Sequence, residues 1–368
     1  MSEPYPSAAR RLLIVGAYGV VGEQIAAIMT REHPDVALWL AGRSVEKAAA
    51  LAQRIPGATA MRVDLDEPDP LGALSEMPDI VLAAANDANN NLLRAALARD
   101  IAYVDVTRWT ERMVEAAQVV ERHQPSQPVL FASGWMAGVV ATVSADLARR
   151  FDKVDSLEFD VLFALKDKAG PNSFEYADRL RVPFTVRVDG KPTRKMPFSD
   201  PKLVIFSGGR TFTCVRFDTP DQVTLPQVLD IPTVASRVTY DDASVMGFMR
   251  FMIGSGLWTV LSLPLFDSVR RSLLFNPGPG APHEVRISAA GSRGGAVGAR
   301  ESLSVIDPLG QTHMTAIGAV VQIERLMGVH GLATPSGGLS YPDQVVDPAK
   351  AVDRLVRLGL SVAPAPAG

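Results

Sequence analysis

One stretch decides the fold of this chain: Leu12-Leu13-Ile14-Val15-Gly16-Ala17-Tyr18-Gly19-Val20-Val21-Gly22. Its leading apolar residues predict a buried strand, its glycines predict a tight turn, and the apolar spacing that continues to Thr30 predicts a helix. A glycine turn between a strand and a helix is typical of domains that bind dinucleotides. The stretch therefore predicts the start of a Rossmann domain.

Short apolar runs alternate with helical patterns through residues 1–135. Strands that are separated by helices of this length form βαβ units, in which the strands are parallel and helices cover both faces of the sheet. The pattern predicts an α/β domain with a doubly wound parallel sheet. We expect its strands at Leu12–Val15, Val36–Leu40, Ala60–Val63, Ile80–Ala84, Ile101–Val106 and Val129–Ala132.

The pattern changes after about residue 150, where apolar and polar residues alternate as they do in half-buried antiparallel strands. Such runs lie at Ser156–Leu165, Thr211–Phe217 and His283–Ala289. We therefore expect a second, α+β domain with a mainly antiparallel sheet over residues 136–339. This domain is expected to bind the substrate and to form a homodimer.

The glycines of the opening stretch have distinct physical roles in such a turn. Gly16 allows the tight turn, Gly19 lets backbone amides approach a pyrophosphate, and Gly22 lets the helix pack close to the strand. The phosphates then lie at the positive end of the helix dipole. The residues expected to bind the cofactor here are Gly16, Tyr18, Gly19, Val20, Val21 and Gly22.

The second expected strand is followed by Ala41-Gly42-Arg43-Ser44. NAD-binding domains usually place a carboxylate at the end of this strand, where it holds the ribose hydroxyls. A carboxylate would repel the additional phosphate of NADP, whereas Arg43 can bind that phosphate with two hydrogen bonds and Ser44 can donate another. We therefore predict NADP(H) as the cofactor. The alternatives are that Arg43 is a solvated loop residue or that it stacks on adenine in an NAD site.

Residues that follow the later strands should line the same crevice, because the carboxyl ends of parallel strands meet at one edge of a sheet. Small residues after the fourth strand leave room for the cofactor, and Asp105 follows the fifth strand near the expected nicotinamide. Asp105 is alternatively a turn or capping residue. The cofactor-binding residues expected in this group are Asp64, Ala84, Ala85, Asn86, Asp105 and Val106.

Composition and charge exclude several classes of protein. A net charge of -3 over 368 residues gives no basic surface for nucleic acid. A single cysteine, Cys214, excludes a disulfide framework and a cysteine-rich metal site, and we expect no metal. No apolar segment of the signal-peptide type precedes the first strand, so we expect a cytoplasmic protein.

The stretch Phe251–Phe266 is nearly uncharged but is shorter than a membrane span. Two glycines and a proline interrupt it. We expect a pair of helices that is buried or lies at an interface. Contact with a membrane or lipid is the alternative.

Several of these motifs together resemble the saccharopine dehydrogenase-like oxidoreductases, a family of two-domain NAD(P)-dependent reductases. The resemblance rests on the glycine turn and on the motifs Ala41-Gly42-Arg43-Ser44, Tyr103-Val104-Asp105-Val106 and Ser133-Gly134-Trp135-Met136-Ala137-Gly138. It implies a nicotinamide cofactor and a Rossmann domain that is completed by residues 340–368. The helix expected at Pro348–Leu358 lies in that closing segment.

The chain departs from this family in ways that bear on its substrate. Many relatives have an acidic residue and a proline in the turn after the sixth strand, where this chain has Met136 and Ala137. Enzymes that form saccharopine need cationic groups for a dicarboxylate, and the sequence shows no matching set. Asn276–Pro282 and Pro335–Leu339 instead resemble elements of a branch that includes trans-acting enoyl reductases.

The most polar stretch aimed at the space between the domains is 166–179. Tyr176 and Arg179 could orient a carbonyl or imine there and donate a proton, and His313 is a further candidate donor. The alternatives are a solvated loop for the first two residues and a helix-entry position for the histidine. Weaker candidates are Arg237 and Tyr240.

Three functions stay open at this point. The first is an NADP(H)-dependent reductase that transfers hydride to a C=N or C=O bond of a small molecule, which requires no protein nucleophile. The second is an enoyl-type reductase for an apolar acyl substrate, which Phe251–Phe266 and Asn276–Pro282 favour. The third is a non-catalytic NADP(H)-binding sensor, because the turn at Met136 lacks the acid.

Overall fold

The first sheet of the molecule begins with the opening stretch of the sequence. The computed structural model describes residues 10–167, 178–266 and 280–366. Every strand pair of this sheet is parallel, so the predicted doubly wound parallel sheet is confirmed. Its strands up to residue 131 are β1 (Arg11–Val15), β2 (Ala37–Gly42), β3 (Thr59–Arg62), β4 (Ile80–Ala83), β5 (Ala102–Asp105) and β6 (Pro128–Phe131).

Helices cover both faces of this sheet. Alternate residues of a strand point to opposite sides, so a strand in which successive residues are apolar has an apolar surface to bury on each face. Leu12 and Ile14 belong to one apolar core, whereas Leu13 and Val15 belong to the core on the other face. The helices that follow these strands are α1 (Val20–Glu32), α2 (Val45–Ala52), α3 (Asn91–Ala98), α4 (Thr110–His123) and α5 (Trp135–Ala148).

The second sheet contains the strands that the alternating pattern predicts. The remaining strands of the chain are β7 (Lys153–Phe163), β8 (Phe184–Val188), β9 (Lys191–Lys195), β10 (Lys202–Ile205), β11 (Thr211–Arg216), β12 (Thr233–Tyr240), β13 (His283–Arg293), β14 (Ala296–Asp307), β15 (Gly338–Ser340) and β16 (Ser361–Pro364). The second sheet has the order β10-β11-β12-β7-β13-β14-β16, and β8 pairs with β9 separately. Only β7 and β12 are parallel within this sheet as described, so the expectation of a mainly antiparallel sheet is confirmed.

The closing segment contributes to both sheets. The helices after β11 are α6 (Asp221–Val228), α7 (Ala243–Gly254), α8 (Leu257–Leu261), α9 (Gln311–Met327) and α10 (Pro348–Arg357). Strand β15 pairs with β6 and completes the order β15-β6-β5-β4-β1-β2-β3 of the first sheet, whereas β16 pairs with β14 of the second. Helix α9 packs against α1 and α5, and α10 packs against α5. The domain boundaries at residues 135 and 340 stay a prediction.

The apolar stretch forms two helices, but most of its large side chains face outward. Met246, Met249 and Trp258 of α7 and α8 are buried, whereas Phe251 and Leu265 are 63% and 84% exposed. Only one side of these helices packs on the core, so the pair is not buried, whereas the expectation that it lies at an interface stays a prediction. No helix within the described ranges is long and apolar enough to cross a membrane.

Helix α5 packs on β7 and β13 of the second sheet and begins with a left-handed turn. Met136, Ala137 and Gly138 have φ angles of 52°, 52° and 83°, a region that disfavours residues with a side chain. Helix α9 packs directly on this turn, since a Cβ atom on Gly318 would lie 2.3 Å from the Met136 carbonyl oxygen. Tight packing therefore holds the turn in its unfavourable conformation.

A buried carboxyl group also holds this turn. Asp221, at the start of α6, accepts a hydrogen bond from the backbone N–H of Trp135 at 2.7 Å. The Asp221 side chain is almost completely buried, and burial raises the pKa of this carboxyl to about 6. The protonated form is therefore favoured in the folded protein up to that pH.

The packing of α9 on the turn can be tested with Gly318→Ala. Its Cβ would overlap with backbone atoms that cannot move independently, so we expect a loss of about 1–3 kcal/mol in the free energy of unfolding. Urea denaturation measures this loss. The control is Gly247→Ala in α7, where an added Cβ meets nothing within 4 Å and should be neutral or stabilising because alanine favours helix. Equal stability of the two variants would contradict the packing described here.

The buried carboxyl predicts a pH dependence of stability. Its pKa is raised on folding, so the unfolded chain loses the proton first and stability falls as pH rises from about 4 to about 6. Asp221→Asn removes the titration but keeps an oxygen for the Trp135 N–H. The free energy of unfolding should therefore fall less in the variant than in wild type over this window, and the difference should be at most roughly 3 kcal/mol. Urea denaturation from pH 4 to pH 8 measures it, and identical slopes in both proteins would count against the assignment.

Candidate functional site

A cavity of about 720 Å³ lies at the carboxyl ends of the first sheet and extends to the second sheet. The residues that line it follow β1, β2, β3, β4, β5 and β6, as expected for a parallel sheet that binds a ligand. Residues near the ends of β7 and β12 close the opposite side. The predicted cofactor-binding residues in its wall are Gly16, Tyr18, Gly19, Val20, Val21, Arg43, Asp64, Ala84, Ala85, Asn86 and Val106.

The glycine turn is shaped by two close backbone contacts. Gly16 has a φ of 91°, and a Cβ atom on it would lie 2.8 Å from the carbonyl carbon of Ala84. A Cβ atom on Gly22 would lie 2.3 Å from the Gly16 carbonyl oxygen. Gly22 is thus placed behind the turn, where it sets the distance between β1 and α1 and does not line the cavity.

The first turn of α1 presents backbone N–H groups toward the cavity. Gly19 is the residue that precedes the helix, and no side chain caps the helix at this end. Val20 and Val21 follow it and line the cavity. Unpaired N–H groups at the positive end of a helix dipole are suited to phosphate oxygens. This arrangement fits the pyrophosphate of a dinucleotide.

Arg43 lies at the end of β2, exposed and in the wall of the cavity. It forms no ion pair or hydrogen bond with the described residues. Lys47, in the first turn of α2, lies over the ring of Tyr18, with its Nζ atom 5.9 Å from the ring centre. The cavity therefore has a free guanidinium and a nearby ammonium at this end.

Ser44 is placed differently from the prediction. Its hydroxyl oxygen accepts a hydrogen bond from the Lys47 N–H at 3.3 Å, and the hydroxyl donates to Glu46 at 2.7 Å. Its backbone N–H donates to the Tyr18 hydroxyl at 3.1 Å. Ser44 therefore caps α2 and orients Tyr18, and its own side chain is not in the cavity wall.

Asp105 also differs from the prediction, because its side chain is fully buried beneath the cavity. Its carboxylate accepts hydrogen bonds from the backbone N–H of Thr107 at 2.8 Å and from Arg108 Nε at 2.8 Å. The Tyr103 hydroxyl donates to it at 3.0 Å. Asp105 thus fixes the loop after β5, as in the alternative interpretation, and the neighbouring Val106 and Thr107 line the cavity.

The three predicted proton donors are not brought together by the described structure. Tyr176 lies outside the described residues. Arg179 forms an ion pair with Glu111 at 2.5 Å and lies over the ring of Trp109. These contacts hold Arg179 against α4 and outside the cavity wall.

His313 occupies the helix-entry position that was its alternative interpretation. It lies in the first turn of α9, and its Nδ1 atom is 2.8 Å from Oδ2 of the fully buried Asp307. Gln311 and Thr312 of the same turn line the cavity, whereas His313 does not. The pair with Asp307 fastens the start of α9 to the end of β14.

Four aromatic residues in the cavity wall, Trp135, Phe163, Phe217 and Tyr240, form what we call the aromatic wall. Sequence reasoning named Tyr240 as a weaker candidate and missed the other three. The ring centre of Trp135 lies 5.7 Å from that of Phe163 and 5.9 Å from that of Phe217. The ring centres of Phe163 and Tyr240 lie 6.0 Å apart. The four residues are spread over more than 100 positions of the sequence. Strand alternation alone could have placed Tyr240 and Val238 on one face of β12.

The first part of the chain matches a known family model, and the whole chain shares its fold with solved structures. Residues 12–127 match the model of the saccharopine dehydrogenase NADP-binding domain. No curated protein sequence matches the chain. The apo saccharopine dehydrogenase (L-Glu forming) from Saccharomyces cerevisiae is 13% identical with a TM-score of 0.65, over 97% of this chain and 100% of that one.

A second solved structure has a similar fold at a lower score. It is the amine dehydrogenase from Mycobacterium smegmatis, which is 11% identical with a TM-score of 0.51, over 94% of this chain and 98% of that one. At these identities the structures show a shared fold. The match of residues 12–127 confirms the predicted resemblance to saccharopine dehydrogenases in the first domain and supports an NAD(P)-dependent oxidoreductase.

Proposed function

We propose that this chain is an NADP(H)-dependent oxidoreductase that reduces a C=N or C=O bond of a small molecule. The observation that carries the proposal is the free guanidinium of Arg43 in the wall of a cavity that also contains the glycine turn. When bound, the nicotinamide supplies the hydride, and the protein contributes position and electrostatics. The chain's own groups then have to bind the phosphates and orient the substrate.

The charges at the end of β2 favour the additional phosphate of NADP. Ala41 and Gly42 occupy the position where a carboxylate would hold the ribose of NAD. Asp64 lies in the same wall, but its carboxylate is paired with Arg62 at 3.1 Å. The guanidinium of Arg43 is therefore free to bind a phosphate, with the ammonium of Lys47 nearby.

The cofactor preference can be tested with Arg43→Ala. We expect wild type to bind NADPH more tightly than NADH. In the variant the ratio of the two affinities should fall about tenfold, which is the scale of one charge-assisted hydrogen bond at an exposed site. Calorimetric titration of both nucleotides measures it. Arg122→Ala, on the exposed side of α4, is the matched control and should keep the wild-type ratio. A wild type without preference, or a variant that retains it, would contradict NADP specificity.

An enoyl-type reductase for an apolar acyl substrate is the second candidate. The observation that favours it is the aromatic wall, because apolar side chains bind acyl chains better than they bind polar substrates. Trp135 and Phe163 of this wall are contributed by α5 and β7 and are in direct contact. The same wall is compatible with an apolar carbonyl substrate, so turnover has to decide between the two.

The three functions give different results in one assay of NADPH oxidation at 340 nm. We expect turnover with apolar ketones, aldehydes or imines if the first proposal holds. Turnover with trans-2-enoyl thioesters alone would assign the enoyl-type activity instead. Tight NADPH binding without turnover of either group would contradict both reductases and favour the non-catalytic sensor.

A further inference from the structure

The substrate end of the cavity is apolar and carries no charged side chain among the described residues. The aromatic wall is joined there by Leu180, Phe198 and Val238. The charged residues that the structure places in the cavity wall are Arg43, Asp64 and Asp66, all of which follow β2 or β3 at the cofactor end. An ionised substrate group would have to give up its hydration at the apolar end, where residues 10–167, 178–266 and 280–366 supply no partner of opposite charge in the cavity wall.

Strand β12 of the second sheet directs its cation away from the cavity. Side chains alternate along β12, so Val238 and Tyr240 line the cavity whereas Arg237 points to the other face. On that face Arg237 is 3.2 Å from Glu158. This arrangement removes Arg237 from the set of substrate-binding candidates.

Tyr240 brings a polar group to this apolar end. Its hydroxyl forms no hydrogen bond with any described residue, although its ring is fixed by Phe163 at a centre-to-centre distance of 6.0 Å. Burial raises the pKa of Tyr240, so the phenol keeps its proton at neutral pH and above. A protonated phenol in an apolar site is a hydrogen-bond donor that lacks an acceptor.

We propose that the cavity binds an uncharged, apolar carbonyl compound and that the Tyr240 hydroxyl donates a hydrogen bond to its carbonyl oxygen. This inference rests on the proposed function, because it narrows the substrate of the same site. The aromatic wall covers the apolar body of the substrate, and Tyr240 fixes its one polar atom. The hydrogen bond also favours negative charge on that oxygen, which develops when the carbonyl carbon is reduced.

Binding can be measured without turnover, because Trp135 lies in the aromatic wall and its fluorescence should respond to an occupant. We would titrate the protein with 2-octanone and with 2-oxooctanoate, which has the same chain length and a carboxylate. Both titrations are run with and without NADP⁺, and Trp135→Phe identifies the source of the signal. We expect 2-octanone to bind at least about tenfold more tightly, because the carboxylate loses its hydration in an apolar site.

The role of the hydroxyl is tested with Tyr240→Phe. We expect its affinity for 2-octanone to fall about fivefold, the scale of one hydrogen bond, while its affinity for NADP⁺ stays the same. Tyr341→Phe is the matched control, because Tyr341 is half-buried outside the cavity wall, and it should bind both ligands as wild type does. Unchanged NADP⁺ binding in Tyr240→Phe also shows that the variant is folded.

Two results would overturn the inference while leaving the cofactor assignment intact. One is a protein that binds NADP⁺ but binds 2-oxooctanoate as tightly as 2-octanone, or binds neither. The other is a Tyr240→Phe variant with undiminished affinity for 2-octanone. A protein that binds 2-octanone selectively but does not bind NADP⁺ would instead contradict the proposed function and retain the apolar carbonyl site.

Discussion

The close contact between Gly22 and the carbonyl oxygen of Gly16 is the constraint on which the candidate site depends. A Cβ atom at Gly22 would lie 2.3 Å from that oxygen, so any side chain there would push α1 away from β1. The contact brings the first turn of α1 to the edge of the cavity, where its N–H groups have no side-chain cap. One missing methyl group thus positions the end of the helix that we propose binds phosphate.

The order of the strands explains why the cavity lies at this turn. After β1 the chain adds β2 and β3 on one side, and it then crosses to place β4, β5 and β6 on the other side. The loops on the two sides diverge at the carboxyl end of β1 and leave a crevice between them. Arg43 approaches this crevice from one side and Asn86 from the other.

A second constraint connects the cofactor end to the apolar end. The left-handed turn at Met136 and Ala137 lines the cavity and directs the chain from the first sheet into the second. Gly318 and Asp221 hold it from two sides. The turn is stable only because these contacts offset its backbone strain, so the shape of the cavity depends on the packing of α9 and α6.

The local features of the fold were predictable, because their causes lie within short segments. The parallel sheet follows from apolar runs separated by helices, and the position of Arg43 follows from the end of one strand. The predicted roles of Ser44 and Asp105 depended on which partners their side chains would find, and both bind neighbouring residues instead. The same is true of His313, whose partner Asp307 belongs to a different element.

The aromatic wall could not be predicted in the same way, because it joins side chains from distant elements. Trp135 and Phe163 are neighbours only because α5 packs on β7. For Tyr240 the missing information was which face of β12 would meet the cavity. Once that face is known, the alternation of the strand separates Tyr240 from Arg237.

A crystal structure of the complex with NADPH tests the central claim most directly. We expect the pyrophosphate to accept hydrogen bonds from the backbone N–H groups of Val20 and Val21, and the 2′-phosphate to lie within hydrogen-bond distance of the Arg43 guanidinium. The nicotinamide should then face the aromatic wall. A dinucleotide bound elsewhere, or a 2′-phosphate directed away from Arg43, would contradict the proposed site.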